Sequence, residues 1–580
     1  MARLDEAWVV DNAPSERFRI YTRANVGEVF PDPVTPLTWT IAGAAQAEPG
    51  WRDALVRFGA ARHDEFNPDV LEVMGVFGGY AYLNVSVSRL MGVRTPGLTW
   101  EAIDYSLFGA QPGVPPYEAH PADEDEALSE ICGATLGFIL TAESLPELLE
   151  EQAAIAKLRA QRPDLTTFSD AELVARTRQL FADWFRRLFA QHLFITYCST
   201  VPAGIIGQVA AAVGDPNLAN RLISGIGGVD SAAPSWAMWE LGRIAASSAV
   251  VSAEFEQGVD GLDDRLRASA DADAKRFVAA FDDFQYEFGS RGPNEWEMRS
   301  PTWETRPELA LSAIDRMRVT PDKDAPQKHN EAMAVDREAL AAHVAEQLAG
   351  DPETQGQFVA AVRAAGVFLA GRERTKTTII RMLHEGRMCM RELGRRYVDA
   401  GHFDDYLDFG FVREDELDAL LADPGSFRDT IRERKEWYAE LEALDPTFVV
   451  TTGNIEPPST WARRDAVSHT VAQPGDVLEG FPGCPGVATG RARVILDSND
   501  PLALEPGDVL IAPITDPSWT PLFVPACAVV VDVGAQISHA IIVSRELGIP
   551  CVVSVTGGTK RIPDGATVTV DGTAGTVTVH

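Results

Sequence analysis

Two stretches of the 580-residue chain carry residues whose types and spacing suit the handling of a phosphoryl group. Near the carboxyl end, VDVGAQISHAIIVSRELGIPC (531–551) puts His539 where a valine-rich strand and a glycine turn give way to an apolar helix. Val529, Val530, Val531 and Val533 spell a buried strand, and Ala540, Ile541, Ile542, Val543 and Leu547 carry a helical pattern that Gly548 and Pro550 stop. His539 therefore falls in the first helical turn, where free backbone N–H groups and the positive end of the helix dipole attract an anion. A neutral imidazole there is a nucleophile beside a ready phosphate site, so the chemistry it suits is that of a phosphorylated histidine. Ser538 would add a hydroxyl donor, or serve as a plain helix N-cap.

The second stretch, AAGVFLAGRERTKTTIIRMLHEG (364–386), sets Arg372 and Lys376 four apart on one helix face. Like charges at that spacing cost a few tenths of a kcal/mol unless an anion lies between them, and a phosphoryl group would be that anion. Glu373 could accept the proton of an attacking hydroxyl or hold Arg372 in place. The flanking Val367, Phe368, Leu369, Ile379, Ile380 and Met382 mark a largely buried helix, and the alternative is a set of charges paired with acidic neighbours. The turn SRGPNEWEMRS (290–300) offers Arg291, Glu295 and Glu297, either as a substrate-lining loop or as structural ion pairs. GEVFPDPVTPLTW (27–39) and GGYAYLN read as an apolar pocket wall or as ordinary core.

These residues need elements to position them. A chain of this length predicts two to four domains. Residues 1–120 are rich in Pro, Gly and aromatics and short of helical periodicity, with the 75–87 stretch reading as a strand beside a cavity. From about 121 to 445 the pattern is one of long helices, among them 146–160, 170–190, 336–349 and 412–422. The uncharged run 188–214 is long enough to span a bilayer, but Gln191, His192, Pro202 and Gln208 within it predict a buried helix pair instead. Residues 446–476 collect Pro, Gly, Ser and Thr as an exposed connector does, and short strands around one or two helices follow. The expected fold is α+β and multidomain. It comprises a mostly helical acceptor-binding body (1–445), a linker (446–476) and a small C-terminal β/β/α swivelling domain (477–580).

Composition limits the function classes. The net charge of -34 argues against nucleic acid as a partner, and 45% hydrophobic residues can build large cores. Only seven of 51 basic residues are lysine, which singles out Lys376 among apolar neighbours. Six scattered cysteines with no CxxC pair, and an amino terminus without a basic-then-apolar signal, predict reduced thiols in a cytoplasm, no membrane and no metal site.

Residues 480–580 resemble the swivelling phosphohistidine domain of the phosphoenolpyruvate-utilising enzymes, a family that includes pyruvate phosphate dikinase, phosphoenolpyruvate synthase and rifampin phosphotransferase. The resemblance rests on GCPGVATGRARVI, TDPSWTPLF and ISHAIIVSRELGIPCVV. It implies that His539 accepts a phosphoryl group at one site and delivers it at another, with Thr515 in contact with it. Gly534-Ala535 departs from the usual Gly-Gly, and Ile541 and Ser544 replace small residues. PDPVTPLTW (31–39), FGSRGPNEWEMRSPTW (288–303) and GRERTK (371–376) are similar to the antibiotic-binding region of rifampin phosphotransferase and to the histidine-bearing subunit of phenylphosphate and cresol-type phosphate synthases. That resemblance implies Arg-Glu-x-x-Lys as the transfer site. No Walker motif occurs and residues 1–120 are too short for an ATP-grasp fold, so the expected donor is a separate ATP-grasp subunit holding ATP and Mg2+, with no cofactor on this chain alone. The expected acceptor is a small hydrophobic or phenolic hydroxyl, of the phenol or cresol type. A rifamycin-type phosphotransferase component and a non-catalytic regulatory phosphocarrier are the alternatives.

Overall fold

The computed structural model describes residues 2–580 apart from 110–112, 216–217, 228–229, 231, 323–324, 466–469, 497–503, 516–518 and 535–537. Ala535, one of the expected departures from the family pattern, lies outside that set.

The spine is a single helix of 48 residues, Pro352–Asp399. Asp351 starts it by accepting the backbone N–H of Thr354, with Pro352 in the first turn, where its missing N–H costs nothing. Its buried residues include Phe358, Ala361, Ala365, Phe368, Ile379, Ile380 and Met382, so several faces pack against other helices rather than a single stripe. Its neighbours are Glu126–Thr141, Pro146–Ala160, Asp170–Leu180 and Arg186–Val213. Gly371 permits a close approach: a Cβ there would stand 3.0 Å from Leu145 and 3.1 Å from Leu148. This contact fixes the helix next to the very residues, Arg372–Lys376, that the sequence singled out.

Residues 188–214 form one helix, Arg186–Val213 with Pro202 inside it, rather than the expected helix pair. A π-helical turn at Phe181–Phe185 joins it to the preceding helix. The combined stretch Asp170–Val213 is apolar and long enough to cross a membrane, and 56% of its most apolar window is buried inside the protein. Residues 1–120 are more helical than expected: Pro36–Phe58 is continuous, and Val85–Arg94 and Trp100–Phe108 follow. The π-helical segment Trp39–Ala47 breaks the 3.6-residue repeat, which removed the periodic signal.

A four-stranded antiparallel sheet in the order β2-β3-β1-β4 caps the body. Its strands are β1 (Ile20–Thr22), β2 (Met74–Phe77), β3 (Tyr80–Asn84) and β4 (Val449–Thr451). The last belongs to the stretch expected as a free connector. Trp461 packs on Tyr80 at 5.9 Å between ring centres, and Arg464 donates to the Leu444 carbonyl and the Tyr80 hydroxyl. Within the connector, Arg464 is the last described residue bonded to the body, and Ala472, which donates to the Arg561 carbonyl, is already held by the C-terminal unit. The connector is thus shorter than 446–476, because its aromatic and arginine residues find partners on the body.

The C-terminal unit is built on an eight-stranded sheet in the order β5-β12-β11-β7-β8-β9-β10-β6. Its strands are β5 (Val477–Glu479), β6 (Phe481–Cys484), β7 (Val487–Val494), β8 (Val509–Ala512), β9 (Ala528–Val531), β10 (Cys551–Val553), β11 (Thr567–Asp571) and β12 (Thr576–Val579). Strands β7 to β10 run parallel, and the outer pairings are antiparallel. The β9–β10 crossover is the helix His539–Leu547, which Gly548 ends in a left-handed conformation. One apolar core joins this unit to the helical body, with Trp519, Leu522 and Phe523 clustering with Met238, Trp239 and Met317.

Arg387, fully buried, ties the 290–300 turn to the spine by donating to the carbonyls of Glu295 (2.7 Å), Glu297 (3.0 Å) and Met298 (3.3 Å). Arg387→Met keeps the length but removes the donor from the carbonyls of Glu295 and Met298, at about 1–3 kcal/mol each, and leaves the Glu297 carbonyl to the Ser300 N–H alone. The expected result is a drop of several degrees in thermal midpoint, and an unchanged midpoint would show that the turn is held by other contacts.

Candidate active site

His539 is the first residue of its helix, placed there by β9 and the turn that follows it. Thr515 Oγ1 lies 3.1 Å from Nδ1 and Thr520 Oγ1 lies 3.2 Å from Nε2, while Phe523 meets the ring edge-on at 6.1 Å. Thr515 follows β8, and Thr520 opens the short helix Thr520–Phe523. Both ring nitrogens therefore face hydroxyls that can donate or accept. Burial holds His539 well below the usual imidazole range, and the charges of Lys376, Arg291 and Arg372 push the same way. At neutral pH the ring is uncharged and keeps a nucleophilic lone pair.

The ring opens into a chamber that Arg372, Glu373, Lys376, Glu295 and Thr515 also line. Lys376 Nζ stands 3.5 Å from Glu295, and Arg372 stands 3.8 Å from Glu373. The rest of the lining is largely apolar, with Phe30, Met74, Leu83, Phe185, Phe189 and Trp296 among it. Met74 and Leu83 come from the hairpin expected beside a cavity. The cavity measures about 170 Å3.

The remaining sequence candidates stand one layer back. Arg291 is buried, pairs with Glu295 at 2.6 Å and donates to Thr377 at 2.9 Å. Glu295 thus sits between two cations, Arg291 and Lys376. Glu297 accepts from Thr35 (2.8 Å) and Thr38 (2.5 Å), so it pins the 27–39 segment to the turn instead of lining the chamber. Ser538 makes no N-cap bond, and its buried hydroxyl has no hydrogen-bond partner among the described residues.

Three chamber or ring residues went unread in the sequence. Thr520 is fully buried against Nε2. His192 lines the chamber with Nδ1 2.9 Å from Thr375 Oγ1, whose proton already goes to the Arg372 carbonyl. His192 therefore carries its proton on Nδ1, and burial, with the charges of Arg372 and Lys376, lowers its pKa to about 3. Glu28 also lines the chamber. Its carboxylate faces the backbone N–H of His539, and burial raises its pKa to about 7 against the lowering pull of that N–H, Arg372 and Lys376. A lone acidic residue among Val26, Val29 and Phe30 was the available signal for it. Asn25 and Asn294, two of the three non-glycine residues with positive φ among the described residues (56° and 47°), also line the chamber.

Polar contacts hold the C-terminal unit over this chamber. Arg545 donates to Asn220 at 2.7 Å, and Glu546 accepts from Asn330 (2.9 Å) and from the backbone of Ile226 (3.2 Å) and Gly227 (3.4 Å). Among the described residues no group of His, Cys, Asp and Glu side chains is placed to hold a metal ion.

Two family models match the chain: the fourth domain of rifampicin phosphotransferase over residues 191–373, and the mobile domain of PEP-utilising enzymes over residues 504–575, which contains His539. An uncharacterized protein of Mycobacterium tuberculosis is 33% identical over 293 residues, 50% of this chain and 30% of that one. Rifampicin phosphotransferase of Streptomyces sviceus is 29% identical over 337 residues, 56% of this chain and 37% of the relative. The prodigiosin synthesizing transferase PigC of Serratia marcescens is 30% identical over 307 residues, 52% and 33% of the two chains. The matched stretches thus cover 30 to 37% of the length of these relatives.

The burial of His539 makes a spectroscopic prediction. Its ring carbon protons, assigned by comparison with His539→Ala, should stay at neutral-imidazole shifts from pH 8 down to 5.5. Titration with a midpoint near 6.5 would show that the ring is solvated and not docked in the chamber.

Proposed function

We propose that this chain is the acceptor-binding and phosphohistidine-bearing part of a phosphotransferase. In this reading a separate ATP-grasp subunit, with ATP and Mg2+, supplies the phosphoryl group to His539, and the chamber passes it to the hydroxyl of a small aromatic or hydrophobic acceptor. The observation that carries the proposal is that His539 and the Arg372–Glu373–Lys376 set, 163 residues or more apart in sequence, line one largely apolar cavity.

The chemistry follows from positioning and charge. Phosphoryl transfer requires the attacking oxygen, phosphorus and leaving nitrogen to lie in line, with cations over the equatorial oxygens. Arg372 and Lys376 are those cations, kept in place by Glu373 and Glu295. The neutral ring of His539 is a competent leaving group once its vacated nitrogen takes a proton. Apolar walls exclude water and strengthen each charge interaction.

A cavity of about 170 Å3 is close to the roughly 150 Å3 known to admit benzene, which favours an acceptor with one aromatic ring. The match to the fourth domain of rifampicin phosphotransferase favours a rifamycin-type acceptor as the second reading, and that ligand requires the cavity to widen. A regulatory phosphocarrier has no use for the cation pair.

Chemical phosphorylation of the protein with phosphoramidate isolates the acceptor half of the cycle. Acid-labile phosphate should appear on the wild type and be lost in His539→Ala. Discharge to 4-methylphenol or benzyl alcohol should fall roughly 100-fold in Arg372→Ala and in Lys376→Ala while loading persists. Discharge to a rifamycin alone would select the second reading, and equal discharge in both variants would refute the role of the cation pair. For the donor half, an ATP-grasp subunit with ATP and Mg2+ should yield AMP; ATP left intact with every acceptor would refute it.

A further inference from the structure

The chamber holds one carboxylate that the proposed cycle has not used. Glu28 comes to the chamber from a different element than Arg372, the single turn Val26–Val29 that Asn25 opens with a positive φ of 56°. It is partly exposed and lines the same chamber as His539, Arg372 and Lys376, with its carboxylate facing the backbone N–H of His539. The other carboxylates in the lining face cations: Glu373 faces Arg372, and Glu295 lies between Arg291 and Lys376.

We infer that Glu28 is the proton acceptor for the attacking hydroxyl, and that it returns the proton to the imidazole of His539. The inference rests on the phosphotransfer reading above. In the step, a lone pair of the acceptor oxygen forms the P–O bond, and the P–N bond breaks with its electron pair going to the ring nitrogen. The hydroxyl proton passes to the Glu28 carboxylate and from there to that nitrogen, so neutral His539, ionised Glu28 and a phosphate monoester are left.

The alternatives in the lining fit this role less well. His192 has a free Nε2 lone pair, but at a pKa of about 3 it is a weak base. Glu373 and Glu295 would have to release a cation that binds the phosphoryl oxygens. Glu28 is held at about 7, where a base is both partly ionised and strong enough to take a proton at neutral pH. The charged and titratable groups facing it are Arg372 and Lys376 from the long helix and His539 from its own helix, with Glu373, Glu295 and His192 on the same lining.

The experiment uses the full chain loaded with phosphoramidate and discharged to 4-methylphenol or benzyl alcohol in single turnover. In the wild type the discharge rate should rise with pH through the neutral range. Glu28→Gln, whose amide oxygen can still face the His539 N–H, should load normally, discharge roughly 100-fold more slowly and lose that pH dependence. Glu28→Asp should recover part of the rate together with the pH dependence, which a purely structural role would not predict. If wild type and Glu28→Gln discharge at the same rate with the same pH profile, Glu28 is not the proton acceptor. If the wild type loads but discharges to no acceptor, the phosphotransfer reading itself fails, and with it this inference.

Discussion

The structure turns on one electrostatic constraint: cations placed in an apolar chamber must stay both compensated and available. An isolated buried charge is strongly disfavoured, and a tightly buried pair has no capacity left for a ligand. Here Arg372 and Lys376 each have a carboxylate partner, at 3.8 and 3.5 Å, longer than the 2.6 Å of the fully buried Arg291–Glu295 pair. The looser contacts leave room for phosphoryl oxygens to compete. The tight pair fixes Glu295, and through it the position of Lys376. Arg387 beneath the turn and Gly371 beneath the helix then serve one end, which is to hold these groups still while the ligand changes.

The same constraint shapes the interface of the C-terminal unit. In the proposed cycle the C-terminal unit leaves the chamber, which tight jigsaw packing alone would oppose, and the contacts around His539 are mixed. Arg545 and Glu546 reach across to Asn220, Asn330 and two backbone N–H groups, all partners that water can replace. Trp519, Leu522 and Phe523 add apolar contact on the helical side. At roughly 25 cal/mol per Å2 that contact favours docking, and the docked ring is the neutral one. In the proposed cycle a phosphoryl dianion on His539 would add attraction to Arg372 and Lys376, so that loading and docking would reinforce each other.

Much of this was legible in the sequence, and the unread parts share a physical cause. The His539 helix, its glycine stop and the Arg372–Lys376 face were readable because period, cap and charge spacing are local properties. The helical character of 36–58 was hidden by a π-helical register change, and the 188–214 helix looked like two because Pro202 is tolerated inside it. The first half of the connector looked free because the partners of Trp461 and Arg464 are hundreds of residues away. Thr520, His192 and Glu28 share that cause: each matters through a neighbour on another element. Ser538 is the reverse case, a residue whose local pattern promised a cap that the fold did not form.

Glu28 also clarifies the anion site at the start of the His539 helix. The free N–H groups of a helix N-terminus attract negative charge, and the N–H of His539 itself faces the carboxylate of Glu28. With Glu28 ionised, three carboxylates (Glu28, Glu295, Glu373) balance three cations (Arg291, Arg372, Lys376) around the ring. In the proposed cycle a phosphoryl dianion would disturb that balance, and the site could respond in two ways: the cations would shift toward the new oxygens, and Glu28 would gain proton affinity. The second response strengthens Glu28 as a base at the stage when an attacking hydroxyl must give up its proton. Once the monoester forms, the original balance returns only when the product leaves, so the charge arrangement that draws in the loaded histidine also disfavours keeping the phosphorylated product beside ionised Glu28.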